Sequence, residues 1–260
     1  MMKNRIGYLY LVITTFIWGS VYIASKYALE TMGPVTVLCV RYVVAGAALC
    51  ILLKVRKTRR PIERGHWKYI WIVGGLGYFV SITCQLVGTK LLDASLASLI
   101  NGMNPITISL LAAIFLKEKI QKKHIVSICI SIVGVYIILG IGGGSISMAG
   151  VLASVCSVLL WSTASVAIRK VSGGYDPVQI ALYGLGIALI FTVPAAIVES
   201  MGQPPVINRT AVLSCIYLGV VGTAVAHTLW NMALKLLDAS VCSMFYPLQP
   251  LTSAVLGIFF

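Results

Sequence analysis

Charge is scarce in this sequence. Only 10% of its 260 residues are charged, against about 25% in a soluble domain. The acidic residues are Glu30, Glu63, Asp93, Glu118, Asp176, Glu199 and Asp238. Each sits at the end of a long apolar run or between two runs. The mid-membrane carboxylate on which proton relays usually depend is therefore missing. Paired cysteines are missing as well. The seven cysteines stand inside apolar stretches without CxxC spacing, which argues against a disulfide framework or a thiolate metal site and leaves them as small packing residues. Enzymatic motifs are lacking. Gly142-Gly143-Gly144-Ser145 has no lysine after it, so it is no phosphate loop, and neither HExxH nor GxSxG occurs. We expect no catalytic residues, no metal and no cofactor.

What the chain does have is apolar length. Hydrophobic residues make up 59% of it, and its mean hydropathy is +0.96. Too little polar surface remains to face water on all sides, so most of the chain must meet lipid. A spanning helix needs about 20 mostly apolar residues. Nine runs qualify: 7–29, 34–54, 68–89, 94–116, 124–142, 148–168, 177–198, 210–234 and 239–260. The expected fold is all-α and membrane-integral. The first run is too long for a signal-peptide core and is read as a retained span.

The charge that exists is mostly basic, with a formal net charge of +13. The basic residues lie in short loops between apolar runs, so membrane topology accounts for them and no nucleic-acid partner is expected. With the N-terminus in the cytoplasm, sixteen of the twenty Lys and Arg fall on the inner side, and only Lys26, Lys90 and Arg209 fall outside. That is the distribution the positive-inside rule demands of a multi-pass protein of the plasma or inner membrane. Trp67, Tyr69 and Trp71 flank the third run at headgroup level.

The sequence repeats itself. Lys90-Leu91-Leu92-Asp93-Ala94-Ser95 recurs as Lys235-Leu236-Leu237-Asp238-Ala239-Ser240, an offset of 145 that also carries Gly77 onto Gly222 and Pro105 onto Pro250. Earlier in each half the offset is 143, carrying Gly7 onto Gly150, Trp18 onto Trp161, Lys26 onto Arg169 and Pro34 onto Pro177. Residues 1–142 form a first unit of five spans, and residues 148–260 a second unit of four. Phe260 aligns with Phe115, so a tenth span is expected in the intact protein and the second unit is read as truncated. Five spans is an odd number, so the second copy enters the membrane from the opposite side. The expectation is an inverted repeat of two five-helix bundles, a design suited to alternating access.

These residues resemble the EamA family of the drug/metabolite transporter superfamily. The resemblance rests on Trp18, on Pro34 followed by Arg41, and on Ala94-Ser95 with Pro105 and Phe115-Leu116-Lys117-Glu118. Trp230-Asn231-Met232-Ala233-Leu234 adds to it. Lys117 departs from the pattern, which usually has Gly before the acidic residue. The resemblance implies ten helices, cytoplasmic termini, a central cavity and export of metabolites or drugs.

Prolines inside spans point to the transport site. Pro105, Pro247 and Pro250 remove backbone hydrogen bonds from the carbonyls of Asn101, Ser243 and Tyr246. In lipid such carbonyls must face protein or a wet cavity. Helical spacing puts Asn101 and Asn104 on one face of the fourth span, and Tyr246 and Gln249 on one face of the ninth. The eighth span aligns Thr223, His227, Trp230 and Asn231, and the third offers Ser81 and Gln85; of these His227, Trp230, Asn231 and Gln85 join Trp18, Tyr22, Asn101, Asn104, Trp161, Tyr246 and Gln249 as the expected substrate-binding residues. Trp18, with Tyr22 one turn beyond, and Trp161 form an aromatic set for which packing and cavity lining both stand. Arg41 is the one charge well inside a span, either a snorkelling anchor or a substrate contact.

Taken together these features describe a secondary transporter of small metabolites such as amino acids. The alternatives are multidrug efflux of lipophilic compounds, and a non-transport membrane scaffold or enzyme. The partners are a small-molecule substrate and the bilayer, and a homodimer is one arrangement the chain admits.

Overall fold

Prolines and their neighbours set where several helices begin. Pro34 opens α2 (Pro34–Arg56) behind Gly33, and Pro177 opens α7 (Pro177–Gly202) behind Asp176, whose side chain accepts a bond from the Val178 N–H at 2.8 Å. Proline suits the first helical turn because its missing N–H has no intrahelical partner there. The computed structural model describes residues 2–119, 125, 126, 129, 133 and 147–259. The fifth expected span, 124–142, lies almost wholly outside the described residues.

The other elements are α1 (Met2–Leu29), α3 (Arg64–Leu91), α4 (Ala94–Asn101), α5 (Asn104–Leu116), α6 (Met148–Val171), α8 (Arg209–Leu236), α9 (Ala239–Ser243) and α10 (Leu248–Gly257). Among the described residues there is no strand. Among the described residues seven helical segments are long and apolar enough to cross a membrane, α4 and α5 counting together as one. The chain is a multi-pass membrane protein.

Two runs differ from a single continuous helix. The fourth stops at Asn101, turns at Gly102-Met103 and restarts at Asn104, with Pro105 in the new first turn. The ninth stops at Ser243 and restarts at Leu248. The prolines therefore start helices after a turn rather than kink one. The carbonyls they leave without a helical donor find partners nearby. Asn101 O accepts from Asn104 Nδ2 at 2.7 Å, Tyr246 O from the Gln249 N–H at 2.9 Å, and Ser243 O from the Tyr246 N–H at 3.1 Å.

The core is inverted relative to a soluble protein. Large apolar side chains such as Phe16, Val43, Leu110, Ile190 and Val198 face outward, while Thr15, Ser81, Asn104, Gln179, Asn231 and Ser243 are buried. Lipid satisfies the first set; only other protein groups can satisfy the second. α1 packs on α8 and α10, α6 packs on α3 and α5, and α2 lies against α7. Gly77 of α3 and Gly222 of α8 sit at close helix–helix contacts. A Cβ on Gly77 would lie 2.4 Å from Ala164 Cβ, and one on Gly222 would lie 2.7 Å from Val21 Cγ2. Ala164 is the repeat counterpart of Val21, so the two contacts are reciprocal.

Within α3 and α8 the helix widens to π geometry, at Ile72–Ser81 and Val220–Val225. The two segments overlap at the repeat offset. Such widened turns are rare and recur at functional sites.

Candidate functional site

The prolines, the aromatic residues and the widened turns converge on one place. α1 brings Trp18 and, one turn on, Tyr22; α6 brings Trp161 and α8 brings His227. Trp18 and Trp161 meet edge to face with ring centroids 5.4 Å apart, and each lies within 6 Å of the His227 ring, at 5.7 Å and 5.5 Å. Tyr246 stands in the turn between α9 and α10, where it accepts a hydrogen bond from Trp161 Nε1. Tyr78, from the widened part of α3, packs 4.9 Å from His227 and stacks on Trp161. The aromatic wall thus draws on α1, α3, α6, α8 and the α9–α10 turn.

Of these aromatic groups Trp18, Tyr22, Trp161, His227 and Tyr246 line a cavity, Tyr78 does not, and the polar lining comes from Gln85, Asn101 and Gln249, with Ser81 and Arg41. The cavity's volume is about 30 Å³, room for a couple of water molecules and too small for any metabolite.

Eight of the eleven expected binding residues line this cavity: Trp18, Tyr22, Gln85, Asn101, Trp161, His227, Tyr246 and Gln249. The other three do not. Asn104 is fully buried and holds the α4–α5 break, donating to Asn101 O while its Oδ1 lies 3.1 Å from Ser162 Oγ. Asn231 donates to Pro177 O at 3.1 Å and so holds the start of α7. Trp230 backs the wall, its ring 5.3 Å from both Trp18 and Tyr246. Arg41 does not snorkel: it is 2% exposed and turns inward, donating to Thr223 Oγ1. Tyr78 escaped the sequence reading altogether. Its available signal was its place beside Gly77, whose repeat partner Gly222 adjoins Thr223.

One end of the bundle is tied by charge. Arg169 donates to Asp238 Oδ1 at 2.9 Å and to Leu234 O at 2.8 Å, and its Nε lies 3.6 Å from Glu118. The Glu118 carboxylate accepts from the Ala239 and Ser240 N–H groups, both at 3.0 Å. The repeat counterparts Lys26 and Asp93 form no ion pair among the described residues.

The EamA-like transporter family model matches this chain twice, over residues 5–140 and again over 148–260.

The chain belongs to the EamA-like transporter family.

It is 26% identical over 248 residues to a probable terminal-alkyne amino-acid exporter of Streptantibioticus cattleyicolor, covering 94% of this chain and 82% of that protein. It is 24% identical over 258 residues to an S-adenosylmethionine/S-adenosylhomocysteine transporter of Chlamydia trachomatis, covering 94% and 79%. An uncharacterized transporter of Archaeoglobus fulgidus is 21% identical over 260 residues, covering 98% and 89%. A solved crystal structure shares the fold at 20% identity with a TM-score of 0.77, over 99% of this chain and 88% of that one. For this EamA-like transporter, the comparisons establish family and a membrane setting.

Proposed function

We propose that this EamA-like transporter exports small amphipathic metabolites, amino acids among them, by alternating access. The observation that carries this reading is the central cavity, walled by both halves of the chain where the broken helices meet. The reciprocal contacts of Gly77 with Ala164 and Gly222 with Val21 support two inverted units, 1–142 and 148–260, related by an axis in the membrane plane. The basic residues of the short loops support a cytoplasmic N-terminus in the plasma or inner membrane. The units rock about the turns before Pro105 and around Pro247 and Pro250, opening the cavity first to one side and then to the other. Trp18, Tyr22, Gln85, Asn101, Trp161, His227, Tyr246 and Gln249 contact the cargo. The relatives named for an amino acid and for S-adenosylmethionine point to cargo of this class.

The test is efflux of radiolabelled L-amino acids from proteoliposomes carrying the purified protein. Saturable efflux that Gln249→Ala diminishes supports the reading. Efflux no faster than from protein-free liposomes, across the whole set of amino acids, removes it.

A further inference from the structure

Arg41 is a buried cation without a counter-ion. It lies seven residues into α2, about 10 Å along the helix from its start, and only 2% of it is exposed. Its Nε donates to Thr223 Oγ1. That hydroxyl spends its own proton on Leu218 O at 2.8 Å, so it is a pure acceptor toward the guanidinium. Nη2 reaches Gly222 O only at 3.4 Å. Nη1 has no hydrogen-bond partner among the described residues. All seven acidic side chains of the chain lie within the described residues, and none of them pairs with Arg41 or lines the cavity.

A buried charge left unpaired costs several kcal/mol. An anchor between α2 and α8 needs no charge, since a neutral donor would serve Thr223 equally well. Arg41 is itself a wall of the cavity, together with Tyr22, Gln85 and Gln249. A guanidinium offers a planar fork that matches a carboxylate with two parallel N–H bonds. The same cavity is lined by the rings of Trp18, Trp161 and Tyr246, suited to an apolar body.

We propose that Arg41 is the anion-binding group of this cavity, and that the cargo is a small carboxylate with an apolar or aromatic body. The inference rests on the transport reading for its setting and narrows it. Lipophilic cations are excluded by the same positive charge. A single guanidinium, with no lysine or second arginine beside it among the described residues of the wall, matches a carboxylate monoanion better than a phosphate dianion.

The experiment measures binding and transport separately on the purified full-length protein. Binding is read from the ligand-dependent rise in melting temperature. The probes are L-leucine, 4-methylpentanoate and 3-methylbutylamine, and in parallel L-phenylalanine, 3-phenylpropionate, phenethylamine and phenyl phosphate. We expect the carboxylates to bind about tenfold or more tightly than the matching amines, the scale of a lost charge-assisted bond. Arg41→Met keeps the side-chain bulk, removes the charge and should erase that preference while melting no lower than the unaltered protein. Arg41→Lys, which keeps charge without the fork, should retain a reduced preference and serves if the Met variant does not fold. Amines binding as well as acids, phenyl phosphate binding in place of 3-phenylpropionate, no acid binding, or an acid preference that survives in Arg41→Met each overturns the proposal. Acids that bind but do not cross proteoliposomes leave Arg41 in place and count against transport alone. Amines that cross while acids fail to bind leave transport in place and remove the anion site.

Discussion

Trp18 and Trp161, repeat counterparts 143 residues apart, touch each other edge to face at the centre of the molecule. In the proposed inverted repeat, equivalent positions of the two units meet in this way at or near the axis that relates them. Their coupling is the first prediction. A double-mutant cycle with Trp18→Leu and Trp161→Leu should return about 0.5–1.5 kcal/mol of interaction beyond the single changes. Denaturant or thermal unfolding in detergent measures it, and strictly additive losses would show that the rings do not work as a pair.

Asn104 and Gln249 occupy the same repeat position, yet the structure gives them different surroundings. Asn104→Ala strips the donor from Asn101 O and the acceptor from Ser162. It should cost about 1–3 kcal/mol of stability, the penalty for a buried group left unpaired. Gln249→Ala removes a cavity wall and should melt close to the unaltered protein while transport falls. Equal melting losses in the two variants would contradict the division of roles.

Arg169 closes one end of the bundle through Asp238 and Glu118, whereas Lys26 and Asp93, the repeat counterparts of Arg169 and Asp238, form no ion pair among the described residues. A partly exposed pair is worth up to about 1 kcal/mol, roughly fivefold in an opening equilibrium. Arg169→Gln should therefore raise the rate at which a maleimide labels Cys242, which is fully buried beneath the pair, a few-fold in a background without the other six cysteines. An unchanged labelling rate would mean that the ion pair does not hold that end shut.

Gly77→Ala forces a methyl group to within 2.4 Å of Ala164 Cβ. Overpacking of this kind costs about 1–3 kcal/mol. The double change Gly77→Ala with Ala164→Gly should recover most of the loss, read as melting temperature. Failure to recover would place the strain elsewhere in the widened part of α3.

Much of the site was legible because the sequence repeats. Pro105 and Pro250 marked the broken segments, and Trp18 with Trp161 stood out as an aromatic pair at equivalent repeat positions. What escaped was the direction of individual side chains. Asn104 and Asn231 looked like cavity residues because buried amides in a membrane usually face the bundle interior. That expectation holds equally for amides that hold backbone at a helix break, as Asn104 does, or at a helix start, as Asn231 does. Tyr78 and the π segments left no sequence signal beyond the glycines around them.

The sequence by itself determined that the chain lives in lipid, the order of its apolar runs, and its duplication, because scarce charge, run length and repeated motifs are one-dimensional properties. Only the tertiary structure decided that Arg41 turns inward without an acidic partner, and that Gln249 lines the cavity while Asn104 does not. The physical reason lies in the solvent. A helix in lipid is apolar on every side, so hydrophobic periodicity does not mark its inner face, and the rotation of each helix is set by the neighbours it packs against.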